Sequence, residues 1–157
     1  MPFIRKIEAR AYAYTTEVPE RVQSALLQLF PEDVYEELEL EVEETESHLG
    51  LTIVVFEVAL ENKKACSKTI DYLLSRLSEG DRYYLRSTLE RRIDERCRIY
   101  FRFDKQAAYL ESIEVAQGPD LINFQLHLIE YPRCEQEDAV AFLTERIDAL
   151  EAAEDVD

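Results

Sequence analysis

The sequence predicts an α+β fold, with a mixed or mostly antiparallel sheet of about six strands and helices packed on one face. Some short segments alternate apolar and polar residues with the period of two that marks a half-buried strand. Others repeat apolar residues at helical spacing. The two kinds interleave as β-α-β-β-α-α-β-(turn)-β-β-α, with no linker, internal repeat or low-complexity tract between them. A chain of 157 residues is long enough to bury one sizeable core.

Residues 3 to 15 form the first predicted strand, with Phe3, Ile7, Ala9, Ala11 and Ala13 on one side and Lys6, Glu8, Arg10, Tyr12 and Tyr14 on the other. An amphipathic helix follows, carrying Val18, Val22, Leu26 and Leu29. Pro19 suits its first turn and Pro31 stops it. Residues 35 to 44 alternate Leu38, Leu40 and Val42 with Glu37, Glu39, Glu41 and Glu43, and read as a strand. The richer apolar run Leu51 to Leu60 reads as a more buried one. A second helix presents Cys66, Ile70, Leu73, Leu74 and Leu77. A third starts at Ser78, with Asp81 placed as in a capping box, and carries Leu85, Leu89 and Ile93. In the strand Cys97 to Phe103, Ile99, Phe101 and Phe103 oppose Arg98, Tyr100 and Arg102. Segments 113 to 117 and 121 to 130 flank Gly118-Pro119-Asp120 and are expected to pair as a hairpin, with Asn123, Gln125 and His127 facing outward. A last helix from about Glu137 to Ala152 carries Val140, Leu143, Ile147 and Leu150. That stripe fits packing on the chain's own core or the seal of a homodimer. Residues 1–134 are expected to form the domain, with the acidic helix of 135–157 packed on it or extending it.

Charge is unevenly placed. There are 34 acids against 18 bases, a net charge of -16, which excludes indiscriminate coating of nucleic acid or anionic membrane. Residues 32 to 46 hold nine acids and no base, and residues 135 to 157 hold nine acids and one base, Arg146. Residues 82 to 105 instead carry eight bases against four acids. Local potential decides what docks, so the basic segment is the informative one.

No phosphate loop is present, since neither GxxxxGK[ST] nor GxGxxG occurs. The two histidines, His48 and His127, lack partners at ligand spacing, so neither a metal site nor a cofactor is expected. No GxSxG elbow occurs, and no catalytic residues are assigned. Cys66, Cys97 and Cys134 are odd in number and form no CxxC pair, and read as free thiols in a reducing compartment. The charged opening MPFIRKIEARAYAY does not fit a signal peptide and no apolar run spans a bilayer, so a cytoplasmic location without membrane partners is expected.

Arg98, Tyr100 and Arg102 share one strand side, as do Arg10, Tyr12 and Tyr14 on the first strand. If both sides face outward on one sheet, they form a surface of guanidiniums, which grip phosphate in a fork, and phenol rings, which stack on unpaired bases. The same pattern equally fits a solvated face on which the outward glutamates of residues 37 to 43 pair with the arginines. Asp104-Lys105-Gln106 puts a polar turn at the end of the Arg-Tyr-Arg strand, where Asp104 equally fits a cap for the following helical turn.

FRFDKQAAYL (Phe101 to Leu110) resembles a small archaeal family described as exosome-subunit-like RNA-binding proteins. AYAYTTE (11 to 17), ESHLG (46 to 50) and LSEGDRYYL (77 to 85) agree with it in order, over about residues 3 to 131. The resemblance implies a fold related to the large-subunit ribosomal protein that holds the small ribosomal RNA. It also implies RNA, single-stranded or structured, as ligand, with exosome or ribosomal proteins as partners and no assigned catalysis. It points to His48, Gly50, Arg102, Asp104, Lys105, Gln106 and Tyr109. The sequence departs from the family pattern at Tyr14, where histidine is frequent, and at Leu51-Thr52, where Asn-Pro is common. The candidate RNA-binding residues are therefore Arg10, Tyr12, Tyr14, His48, Arg98, Tyr100, Arg102, Lys105 and Gln106. The alternative is a protein-interaction module whose acidic surfaces dock a basic partner.

Overall fold

The computed structural model describes residues 1–155. Along the chain run β1 (Phe3–Ala13), α1 (Pro19–Leu27), a 3-10 turn (Glu32–Glu37), β2 (Glu39–Glu46) and β3 (Thr52–Leu60). Then come α2 (Lys63–Arg76), α3 (Glu79–Thr88), a second 3-10 turn (Leu89–Arg92) and β4 (Arg98–Asp104). α4 (Lys105–Tyr109), β5 (Leu121–Ile129) and α5 (Gln136–Glu154) complete the order. The strands form one antiparallel sheet in the order β2-β3-β1-β5-β4.

The central strand β1 buries small side chains toward the helices, Ala9, Ala11 and Ala13 beside Ile7, which lets α1 and α2 lie close against it. An irregularity between Ile4 and Lys6 shifts the alternation by one, so Ile4 is buried as well as the predicted Ile7. The facing residues Ile122, Phe124, Leu126 and Leu128 of β5 and Ile99, Phe101 and Phe103 of β4 complete the sheet's half of the core. Across it lie Leu26, Leu29 and Phe30, Ile70, Leu73 and Leu74, then Leu85 and Leu89, with Leu143 and Ile147 of α5.

Several expectations are corrected. The sheet has five strands because residues 113–117 do not pair with β5, both edges of which are already occupied by β1 and β4. The segment lies instead on the outer edge of β4: Val115 bridges Phe103, and the Ala116 N–H donates to the Arg102 carbonyl at 2.8 Å. Asp81 fixes it there by accepting from the Val115 N–H at 2.9 Å. The strand expected from residue 35 starts at Glu39, since residues 32–37 make a 3-10 turn that buries Val34. The third helix ends at Thr88 and tightens into a 3-10 turn, which takes Arg91 and Arg92 out of α-helical phase.

Cys97 and Cys134 are joined as a disulfide, with Cα atoms 6.2 Å apart, and only Cys66 is a free thiol. Antiparallel pairing explains the juxtaposition: β5 ends beside the start of β4, where the Leu128 N–H donates to the Cys97 carbonyl, so the chain leaving β5 passes Cys97. α5 opens with a capping box between Glu135 and Asp138 and buries Ala139, Phe142, Leu143 and Ile147. Leu143 and Ile147 of its apolar stripe are thus used on the chain's own core, with Val140 and Leu150 partly buried against it. Among the described residues no helix is long and apolar enough to cross a membrane.

Candidate nucleic-acid interface

The helices and the core lie on one side of the sheet, and the outward positions of its strands form the other. Strand register sets the rows on this open face. Glu41, Glu57, Arg10, Asn123 and Arg102 face one another in sequence across all five strands. The adjacent row brings Glu8, Gln125 and Tyr100 side by side, and the next Lys6, His127 and Arg98. The face therefore grades from carboxylate at β2 and β3 to guanidinium at β4.

Whether those guanidiniums are available depends on their partners. Arg82, only 4% exposed, forks onto Glu154 of α5 with both bonds at 3.0 Å, and Arg86 meets Asp148 at 2.7 Å. Both arginines of α3, half of the basic segment's excess of four, are thus paired with the acidic last helix. Arg10 pairs with Glu57 at 2.6 Å, the cross-strand neutralisation that an acidic sheet face permits. A hydrogen bond with Tyr12, followed by the Glu57 charge, holds its guanidinium above its ordinary value despite partial burial.

Arg98 is also engaged. Its Nε donates to Asp94 Oδ2 at 2.7 Å, and the Tyr100 hydroxyl donates to the same oxygen at 2.8 Å. The other Asp94 oxygen accepts from the backbone N–H groups of Arg96 and Arg98. Burial works to raise the Asp94 carboxyl, but these donors outweigh it and hold it below the usual range. Burial and the bond to Asp94 raise the Tyr100 phenol. Asp94 is the residue that sequence reading missed here, since nothing in its spacing shows that one carboxylate anchors Arg98 and Tyr100 of β4 together.

Among the described residues, Arg91, Arg92, Arg96 and Arg102 have no carboxylate at ion-pair distance. Arg92 reaches the β4 edge, its NH1 donating to the Tyr100 carbonyl at 3.3 Å and its Nε to Thr88 Oγ1 at 2.8 Å, with its guanidinium over the Tyr84 ring at 5.5 Å. Burial lowers Arg92, and the positive charges of Arg102 and Arg91 lower it further. Arg91 and Arg102 are therefore each within electrostatic reach of Arg92, which lies at the edge of β4. Arg91 and Arg92 lie in the 3-10 turn of residues 89–92 that follows α3.

The remaining candidates are scattered. Lys105 is only 2% exposed. Its ammonium donates to the Tyr12 carbonyl at 2.8 Å and Glu17 Oε1 at 2.9 Å, with Asp120 Oδ1 at 2.8 Å. It fills the place where β1 outruns its ladder with β5, and works as an internal strut. Tyr14, half exposed, stacks on Tyr12 with centroids 6.4 Å apart and lies 5.2 Å from the Lys105 Nζ. Asp104 is a cap, accepting from the Ala107 N–H at 2.8 Å, and Gln106 donates to Asp120. His48 is exposed in the turn between β2 and β3, with β1 and β5 intervening before β4. His127 on β5 has Nε2 3.1 Å from Glu8 Oε1 but out of line for a hydrogen bond; burial lowers its imidazole.

A family model described as RNA binding matches residues 6–128. The RNA-binding protein PAB1135 of Pyrococcus abyssi is 37% identical over 127 residues, which is 80% of this chain and 82% of that protein. The crystal structure of AF2318 from Archaeglobus fulgidus, a DUF54 protein, superposes with a TM-score of 0.78 at 34% identity and covers 91% of this chain and 99% of its own. Mth689, a DUF54 protein from Methanothermobacter thermautotrophicus, gives a TM-score of 0.74 at 25% identity over 92% and 98%. The chain belongs to the RNA-binding family represented by these DUF54 structures.

Proposed function

We propose that the chain binds RNA, without catalysing a reaction on it, through the β4 side of its open sheet face. The observation that carries this reading is the group of unneutralised guanidiniums at Arg91, Arg92 and Arg102 in a chain of net charge -16. The family match supports RNA over other polyanions. Arg91 and Arg102 are exposed and grip phosphate in a fork, while Arg92 is held between Tyr84 and the β4 edge. Tyr84, Tyr12 and Tyr14 offer rings to unpaired bases, and Asn123 and Gln125, between Arg10 and the β4 residues, offer donors and acceptors to base edges. Arg98 and Tyr100 contribute as a unit fixed by Asp94. Lys105 is withdrawn from the contact set, having no free direction for a phosphate, and His48 lies too far across the sheet to join it. The resemblance of FRFDKQAAYL and the motifs around it supports an accessory role beside RNA-processing or ribosomal machinery.

The test is a titration of a single-stranded and a hairpin RNA against salt. Three phosphates engaged give log-log slopes of about -2 for the single strand and about -3 for the duplex. Replacing Arg91 and Arg102 with alanine should reduce the slope by about 1 to 2 and weaken binding to all sequences alike. No binding at any salt concentration from about 0.01 M to physiological strength, or binding indifferent to both replacements, rejects the proposal.

A further inference from the structure

The opposite edge of the sheet carries a different chemistry. β2 is exposed at all eight residues, and among the described residues no chain segment pairs with its outer side, so a row of backbone N–H and C=O groups faces solvent. The β4 edge is closed, by contrast, by Val115, Ala116 and Arg92. On β2 the side chains segregate. Glu39, Glu41 and Glu43 lie on the open face beside Glu57, while Leu40 and Val42, 37% and 54% exposed, lie on the other face beside Val58 and Phe56. Among the described residues, none of the β2 glutamates has an ion-pair partner.

We propose that β2 is a docking edge for an extended basic segment of another protein, which adds as a sixth strand. Its backbone would complete the ladder, while lysines or arginines at alternate positions meet the Glu39-Glu41-Glu43 row and intervening aliphatic residues cover Leu40 and Val42. Charge selects this occupant. A second copy pairing through β2 would set one glutamate row against another, and RNA is repelled by the same carboxylates. A purely protective edge needs a charge or two, whereas this one keeps two exposed apolar residues in register with the core. The inference is independent of the RNA reading, which rests on the other edge.

The experiment uses the full chain and a fluorescent ten-residue peptide of alternating lysine and valine. Two controls accompany it, one of the same composition in block order and one with alternate amides N-methylated. The alternating peptide should bind, and the block-order and N-methylated controls should bind at least about tenfold more weakly. E41K with E43K should also cost at least about tenfold at physiological salt while leaving RNA affinity undiminished. Backbone NMR shifts should concentrate in residues 39–46. Equal binding by either control, shifts centred elsewhere, or a dimer of the chain alone that pairs through β2 would overturn the proposal. Circular dichroism of the double variant checks that it folds. If it does not, the peptide controls and the shift map still decide.

Discussion

Replacing Lys105 by methionine separates a strut from a ligand contact. The lysine side chain is 3% exposed, against 20% for Glu17 and 45% for Asp120. Removing one partner from a buried ion pair costs about 3–5 kcal/mol, because the remaining charge is stranded. Asp120 is nearly half exposed and regains water, so its share falls to the 0–1 kcal/mol of about an ordinary surface pair. Glu17 and the Tyr12 carbonyl are less able to do so, and a net loss of about 2–4 kcal/mol is expected for Lys105→Met. Alanine should cost about 1–2 kcal/mol more, since the buried methylene stem goes too. Urea denaturation with an unchanged slope measures both. The pH dependence adds a second check. Burial tends to lower Lys105, yet Asp120 and Glu17 hold it above its ordinary 10.5, and that contribution persists below 10.5 and is lost as pH rises through the folded value. Burial tends to raise Asp120, yet Lys105 and Gln106 hold it below its ordinary 3.8, and that contribution is present above 3.8 and is lost as pH falls through the lower folded value. The difference between wild type and Lys105→Met should therefore be widest between these limits. A difference under about 0.5 kcal/mol at neutral pH, or weakened RNA binding at unchanged stability, would refute the strut reading.

Asp94→Asn should release Arg98 and strengthen RNA binding by about threefold, at a modest loss of stability, as judged by anisotropy and urea titration; unchanged affinity would mean that Arg98 is not part of the contact. His127 is depressed mainly by burial, so its contribution to stability is present above its ordinary 6.5 and lost as pH falls through the folded value. Thermal melts of His127→Gln should accordingly lose part of the wild-type decline below 6.5, and identical profiles would contradict that assignment. Burial pushes the Cys66 thiol up to about 12. A disulfide reagent at neutral pH should leave the native thiol untouched and modify it at the rate of unfolding, whereas immediate modification would show the core open there.

Strand periodicity made most of the sheet legible, because one face is buried and each residue's parity fixes its side. The alternation in β1, β4 and β5 placed Arg10, Asn123 and Arg102 on one face before their register was known. What escaped depended on distance in the chain or on pairing capacity. Spacing cannot show that Asp94 holds Arg98 and Tyr100 together, or that Cys97 meets Cys134 across a separation of 37 residues. Nor could the hairpin signal around Gly118 reveal that β5 has no vacant edge for residues 113–117. Lys105 misled for a different reason. A lysine after a basic strand reads as solvated, and its burial follows from Glu17 and Asp120, both distant in sequence.

The coexistence of an acidic block and a basic cluster in one sheet follows from where the topology puts them. β2 and β4 are the two outermost strands, with three strands between them. Four inter-strand spacings of about 4.8 Å separate their axes by about 19 Å. At physiological ionic strength the Debye length is about 8 Å, so the glutamates of β2 barely weaken the field at Arg91, Arg92 and Arg102. At about 0.01 M salt the screening length rises to about 30 Å, and the whole charge of -16 acts on an approaching polyanion. Salt therefore has two opposing effects on RNA association: it removes the long-range repulsion first and the counterion-release gain afterwards. The guanidinium edge becomes a distinct surface only where screening is shorter than the width of the sheet, and there an acidic chain presents phosphate with a local charge opposite to its net charge.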